Sequence, residues 1–136
     1  MTTVLNKLDI AAWAGFVVTQ GKVFRAIEDD LRQKAGITHA EYEVLLRLSS
    51  SKENRERIQT LAAQSMLSRS GTSRAVDRLV RAGYVVRVGA EEDGRGAYAV
   101  LTDAGRAHYE QARADHLELV KTLFIDRFSV DERRLL

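Results

Sequence analysis

From Asp9 to about Lys34, apolar side chains recur every three or four residues, at Ile10, Trp13, Val17, Phe24, Ile27 and Leu31, with Gln20 in the one gap. That spacing predicts a long helix with a coiled-coil-like seam. Gly36 is suited to end it in the left-handed conformation, and THAE (38–41) opens the next helix with a capping box, Thr38 at the cap and Glu41 three residues later. This second helix turns Tyr42, Leu45 and Leu46 inward. The stretch SSSKENRER (49–57) carries no apolar residue and predicts a solvated loop.

Ile58 to Gln64 reads as a short helix burying Leu61 and Ala62, and Met66-Leu67 as a tight turn into a further helix. In that helix Thr72, Ala75, Val76 and Leu79 fall at i, i+3, i+4 and i+7, an inward stripe, and Gly83 ends it. Two β-branched and aromatic runs follow, YVVRV (84–88) and AYAVL (97–101), separated by the charged, glycine-bracketed GAEEDGRG. They predict a β-hairpin with a long tip. Thr102 caps a last long helix that runs to about Phe128, with Leu119, Val120, Leu123 and Phe124 at helical spacing, and SVDE (129–132) is one more capping box. The fold class expected is mostly α with a small β-hairpin wing, in one domain spanning residues 1–136.

Composition narrows the chemistry. The 136 residues carry 21 Lys and Arg against 19 Asp and Glu, so the net charge is only +2 and the local clustering of arginine matters more than the sum. There is no cysteine, which excludes disulfides, zinc–thiolate sites, thiol nucleophiles and cysteine-based redox sensing. No apolar run approaches the ~20 residues of a membrane span, and the amino terminus lacks the order of a signal peptide, so a cytoplasmic protein is expected. The three histidines, His39, His108 and His116, form no i, i+4 pair with a carboxylate, so no metal site is expected, and no cofactor. Nor is there a nucleophile elbow or a phosphate loop. Glu91 and Glu92 sit on the hairpin tip, where solvation explains them, and an enzyme is not expected.

The segment LSRSGTSRAVDRLVRAGYVVR (67–87) opens on serines, glycine, threonine and arginines, where leucine and alanine would propagate a helix better. With the stripe at 72, 75, 76 and 79 facing inward, the 100° helical step puts Ser70, Arg74, Asp77 and Arg81 outside, flanked by Ser73 and Arg78. Small residues at a helix amino terminus allow close approach to the major groove, where free N–H groups favour phosphate. Ser68, Ser70 and Ser73 offer hydroxyls, and Arg69 and Arg74 offer bidentate contacts to guanine or phosphate. The same residues also suit an N-capped helix with a solvated arginine face. The hairpin strengthens the first reading: Arg95 stands on its tip and Arg87 on its first strand, and a narrow minor groove attracts an inserted arginine.

The order of elements, with LAAQSMLSRSGTSRAVDRLVRAGYVVR (61–87) and EEDGRGAYAVLTDAGR (91–106), resembles the MarR family of transcriptional regulators over nearly the whole chain. The resemblance implies a winged helix-turn-helix lobe over residues 38–101 and a homodimer paired through long helices at 9–34 and 103–136. It implies that Ile10, Val17, Leu119, Leu123 and Phe128 lie at the dimer interface, that Arg95 enters the minor groove, and that Asp93 orients the wing through an ion pair. It further implies a pseudo-palindromic double-stranded operator and, as in many members, repression released by a small aromatic or phenolic ligand; release by cysteine oxidation is excluded here. Trp13, Phe16, His39 and Tyr42 are candidates to line a ligand pocket between the first two helices, though base rates favour core aromatics for each. The sequence departs from the family in its final helix, which stops at Leu136 where the family's completes several turns.

Overall fold

The computed structural model describes residues 3–65, 67–89 and 96–136. Helix α1 runs Lys7–Ala35, starting two residues before the expected Asp9 because Asn6 caps it and Asp9 closes a capping box. It ends at Gly36 in the left-handed region (φ 65°), as the glycine predicts. Helix α2 (His39–Ser50) starts on the Thr38–Glu41 capping box. Helix α3 (Ile58–Gln64) and helix α4 (Arg69–Arg81) form the helix-turn-helix pair, and the inward stripe of α4 is fully buried, with Thr72, Ala75 and Val76 at 0% exposure.

The loop expected over 49–57 is corrected. Its first residues complete α2, and after a short 3-10 turn Arg55–Arg57 forms strand β1. With β2 (Val85–Val88) and β3 (Tyr98–Leu101) it makes a three-stranded antiparallel sheet of order β1-β3-β2, in place of an isolated hairpin. The register sets Arg57 opposite Tyr98 and Arg55 opposite Val100, so both arginines share Tyr98's face, and their guanidinium carbons stand 4.6 and 4.1 Å from its ring centroid. A strand of three charged residues is stable here because long side chains stack on an aromatic face while the backbone completes the edge of β3. Glu53 and Asn54, at φ 60° and 55°, turn the chain into β1, and Arg106, in the helix that follows β3, donates a hydrogen bond to Asn54 Oδ1.

Helix α5 (Asp103–Leu123) starts on Thr102 as expected but does not continue to Phe128. Phe124 leaves the helical region, a 3-10 turn spans Ile125–Arg127, and Ser129 with Glu132 caps a separate α6 (Val130–Leu135). The run TLFIDRF is rich in β-branched and aromatic residues that propagate a helix poorly, and the capping box beyond it starts a new one. The break sets the Phe124 and Phe128 rings 4.9 Å apart and lets Lys121 reach Asp126 at 3.0 Å.

One core joins these elements, from Leu31 and Ile37 through Leu45, Leu48 and Leu61 to Val76, Leu79, Val85, Leu101 and Tyr109. The first turn of α5 abuts the strand entrance. Thr102 N donates to Tyr84 O at 3.1 Å, and the Thr102 hydroxyl donates to Gly83 O at 2.8 Å. That approach leaves no room beside Gly105, where a Cβ would fall 2.0 Å from Tyr84 O. Gly105→Ala must therefore displace backbone, and we expect it to lower unfolding free energy by about 3 kcal/mol, measured by urea denaturation; a midpoint equal to that of the native protein would refute this packing.

Candidate nucleic-acid interface

The exposed side of α4 is built by its own sequence. Ser68 caps the helix, its Oγ accepting from Gly71 N at 3.0 Å and lying 3.1 Å from Ser70 Oγ. A Cβ at position 71 would stand 3.1 Å from that Oγ, so the glycine keeps room for the cap. Ser68, Arg69, Ser70, Arg74 and Arg81 are exposed and Ser73 is half-buried, which leaves the amino-terminal half of α4 free of bulky apolar groups. Arg69, Arg74 and Arg81 form no ion pair with any described residue. The helix therefore presents hydroxyls and cationic forks together at its positive end.

Two arginines grouped with these by sequence are engaged within the fold. Arg87, on β2, pairs with Asp77 at 2.7 Å and also reaches Ser73 Oγ and Ser73 O, at 3.3 and 3.4 Å. It thereby ties the wing strand to α4. Arg78 donates through Nε to Glu41 Oε1 on α2. Asp77 and Glu41 were missed as site residues because their partners lie 10 and 37 residues away and leave no local pattern. A groove of about 260 Å³ lies between α3, α4 and the wing base, lined by Ile58, Gln59, Arg69, Ser73, Arg87 and Gly96 among others. Asp93 and Arg95 fall outside the described residues.

The candidate pocket residues divide among three places within one chain. Trp13 and Phe16 are 64% and 63% exposed on α1, their rings 6.0 Å apart. His39 meets Phe24 edge-on at 5.5 Å, whereas Tyr42 is buried against Tyr109 and His116. Burial, with Tyr109 beside it, pushes the Tyr42 phenol up to about 12. Ile10 and Val17 are exposed, and Leu119, Leu123 and Phe128 are half-buried. An apolar groove of about 490 Å³ runs between α1 and the end of the chain, bounded by Phe16, Val23, Phe24, Phe124, Phe128 and Leu136. Among the described residues no cluster of His, Cys, Asp or Glu can hold a metal, and no helix is long and apolar enough to cross a membrane.

A helix-turn-helix with a sheet-borne wing and an exposed, polar amino-terminal half on its second helix defines the winged-helix DNA-binding class. Comparison with known proteins narrows this. A model of the MarR family matches residues 35–96. AbsC, a MarR family transcriptional regulator from Streptomyces coelicolor, is 32% identical, the match covering 98% of this chain and 89% of that one with a TM-score of 0.89. Sco3205, a MarR family regulator from the same organism solved in complex with DNA, is 27% identical over 98% of this chain and 84% of its own, with a TM-score of 0.93. An HTH-type transcriptional regulator from Bacillus cereus is 26% identical over 110 residues, 81% of this chain and 71% of that protein. The chain belongs to the MarR family of DNA-binding transcriptional regulators, a family of regulators and not of enzymes.

The joint between α1, α2 and α5 carries a titratable histidine. His116 packs on Tyr42 with ring centroids 4.5 Å apart, and its buried Nδ1 has no hydrogen-bond partner among the described residues. Burial holds its pKa below the ordinary histidine range, His39 adds to the depression, and Asp30 opposes it. A depressed folded-state value means the unfolded chain takes up the proton first. Stability contributed by neutral His116 is thus complete above about pH 6.5 and falls as pH drops through that value towards the folded one. The urea midpoint should fall between about pH 7.5 and about pH 5.5, and His116→Gln should reduce that fall; an identical profile in the variant would overturn the assignment.

Proposed function

We propose that this regulator acts as a cytoplasmic homodimer that reads a pseudo-palindromic operator, with the two copies of α4 in successive major grooves about 34 Å apart. The observation that carries the reading is the pairing of two unlike surfaces on one chain. One is the bare apolar seam of α1, where every residue from 7 to 20 is exposed. The other is the hydroxyl- and arginine-rich start of α4. In this reading the chain is one domain, helices 9–34 and 103–136 pair the protomers, and 38–101 is the DNA-binding lobe. Ile10 and Val17 meet the partner together with Leu119, Leu123 and Phe128, which removes apolar surface from water. The similar Sco3205 was solved on DNA, which supports double-stranded DNA as the partner.

On the operator, Ser70 and Ser73 hydroxyls take bases or phosphates, Ser68 caps the helix that carries them, and Arg69 and Arg74 make the bidentate contacts. Arg87 holds the wing against α4, Arg95 enters the minor groove, and Asp93 orients the tip. Binding represses transcription, and a small aromatic or phenolic ligand releases it by favouring a lobe separation that no longer matches the groove repeat. Trp13 and Phe16, exposed on α1, meet such a ligand only with walls supplied by the partner protomer, while His39 bounds the α2 side and Tyr42, buried on the same helix, backs it. A coupling of about 1–3 kcal/mol changes occupancy severalfold.

The test is selection of duplexes of about 30 base pairs from a random library, followed by fluorescence anisotropy at two salt concentrations, with sedimentation of the free protein. A dimer that prefers an inverted repeat by about 10³-fold or more is the expected result. Equal, salt-steep binding to every duplex would replace the regulator with an architectural protein. Phenolic compounds screened against the bound duplex should include one that raises its Kd, and none doing so would remove the ligand-release arm. Arg74→Ala should lower discrimination at one base pair of each half-site by about 1–3 kcal/mol; uniform weakening on all sequences would make Arg74 a phosphate contact.

A further inference from the structure

The ion pair between Glu41 and Arg78 goes beyond the proposed operator reading, on which the inference rests. Glu41 is the more buried of the two, 5% exposed, and it sits in the first turn of α2. Its Oε2 accepts from Thr38 N at 3.2 Å, closing the capping box, and its Oε1 accepts from Arg78 Nε. Glu28, near the end of α1, accepts from His39 N at 3.0 Å and pairs with Arg32 at 3.1 Å. A continuous polar path therefore leads from α1 through the start of α2 to α4. A cavity of about 510 Å³ lined by Arg32, Gly36, Ile37, Thr38, Glu41 and Arg78 opens beside it.

On its inward face α4 is held by a stripe of small and branched side chains, Thr72, Ala75, Val76 and Leu79, about which a helix can rock or slide at modest cost. A charge-assisted hydrogen bond has a much narrower angular well. A carboxylate held on both oxygens and largely withdrawn from water fixes the guanidinium it grips. An ion pair of this kind adds little net stability over a well-packed apolar pair, because desolvation offsets the attraction, so its use lies in geometry. α1 extends into the apolar seam assigned to the partner, so the pair connects the dimer arm to the helix assigned to the groove.

We propose that Glu41 and Arg78 act together as positioning residues that set the angle of α4 relative to α1, and hence the half-site spacing the dimer accepts, and that Arg78 is not a DNA contact. Arg78 thus leaves the base- and phosphate-reading set to which its place on the flank of α4 assigns it.

The test uses the full chain, the duplex selected by the native protein, and a duplex with one base pair inserted between its half-sites. Glu41→Gln keeps an acceptor for Thr38 N and removes the charge; Arg78→Gln and the double variant complete a cycle, with urea midpoints confirming that each is folded. Each single variant should raise Kd on the selected duplex several-fold, and the double variant no further. All three should prefer the native spacing less than the native protein does, with an unchanged slope of log Kd against log salt. If Arg78→Gln lowers that slope by about 1 while Glu41→Gln leaves Kd unchanged, Arg78 is a phosphate contact and the proposal fails. If all three variants retain the native spacing preference, the pair only supports the fold and the proposal also fails. A native protein that selects no duplex would overturn the operator reading itself, before any variant is compared.

Discussion

Everything α4 offers to a partner depends on the face it hides. Thr72, Ala75, Val76 and Leu79 are buried against α2, α3 and β2, and this stripe fixes which way the rest of the helix looks. The stripe is narrow and its members small, so the polar face is broad and its amino-terminal half stays low. An inward charge at Val76 would leave an unpaired ion in the core, and the orientation of every outward residue would be lost with it.

Around that stripe the arginines take different tasks by environment. Arg55 and Arg57 lie over Tyr98 and make a strand possible where composition alone predicts a loop. Arg87 joins the wing strand to α4 through Asp77 and Ser73, and Arg78 joins α4 to α2 through Glu41. Arg69 and Arg74 have no such partner among the described residues, and this separates them from the structural arginines more clearly than their positions on a helical wheel do. The wing strand and α4 are then one body, so a groove contact by either orients the other.

The apolar side of the chain carries a second constraint. The first half of α1 exposes Leu8, Ile10, Trp13, Phe16 and Val17, and the groove between α1 and Phe124, Phe128 and Leu136 continues it. A seam of this length and spacing is costly in water, and the chain's own core does not reach it. This seam and the polar face of α4 are connected through the short joint at Gly36 to Glu41, where α1 stops, α2 begins and two carboxylates, Glu28 and Glu41, hold the turn.

Local patterns in the sequence determined a great deal. Helix starts at Thr38, Thr102 and Ser129, the stop at Gly36, the inward stripe of α4 and the two wing strands all follow from spacings of a few residues, because caps and periodicity act over a single turn. The family resemblance was legible for the same reason, since it rests on contiguous runs. Strand β1, the break after Leu123, the division of Trp13, Phe16, His39 and Tyr42 among separate places, and the partners of Arg78 and Arg87 were not legible. Each depends on a neighbour brought up by the fold: β3 for Arg55 and Arg57, α2 for Arg78, α4 for Arg87. The sequence alone determined which residues are charged, small or apolar and which face of α4 turns inward, whereas on α2 it expected Leu46 inward and the fold leaves it exposed while burying Val44 and Leu48. Only the tertiary structure decided which charges meet, because an ion pair forms across a distance in space that no spacing along the chain encodes.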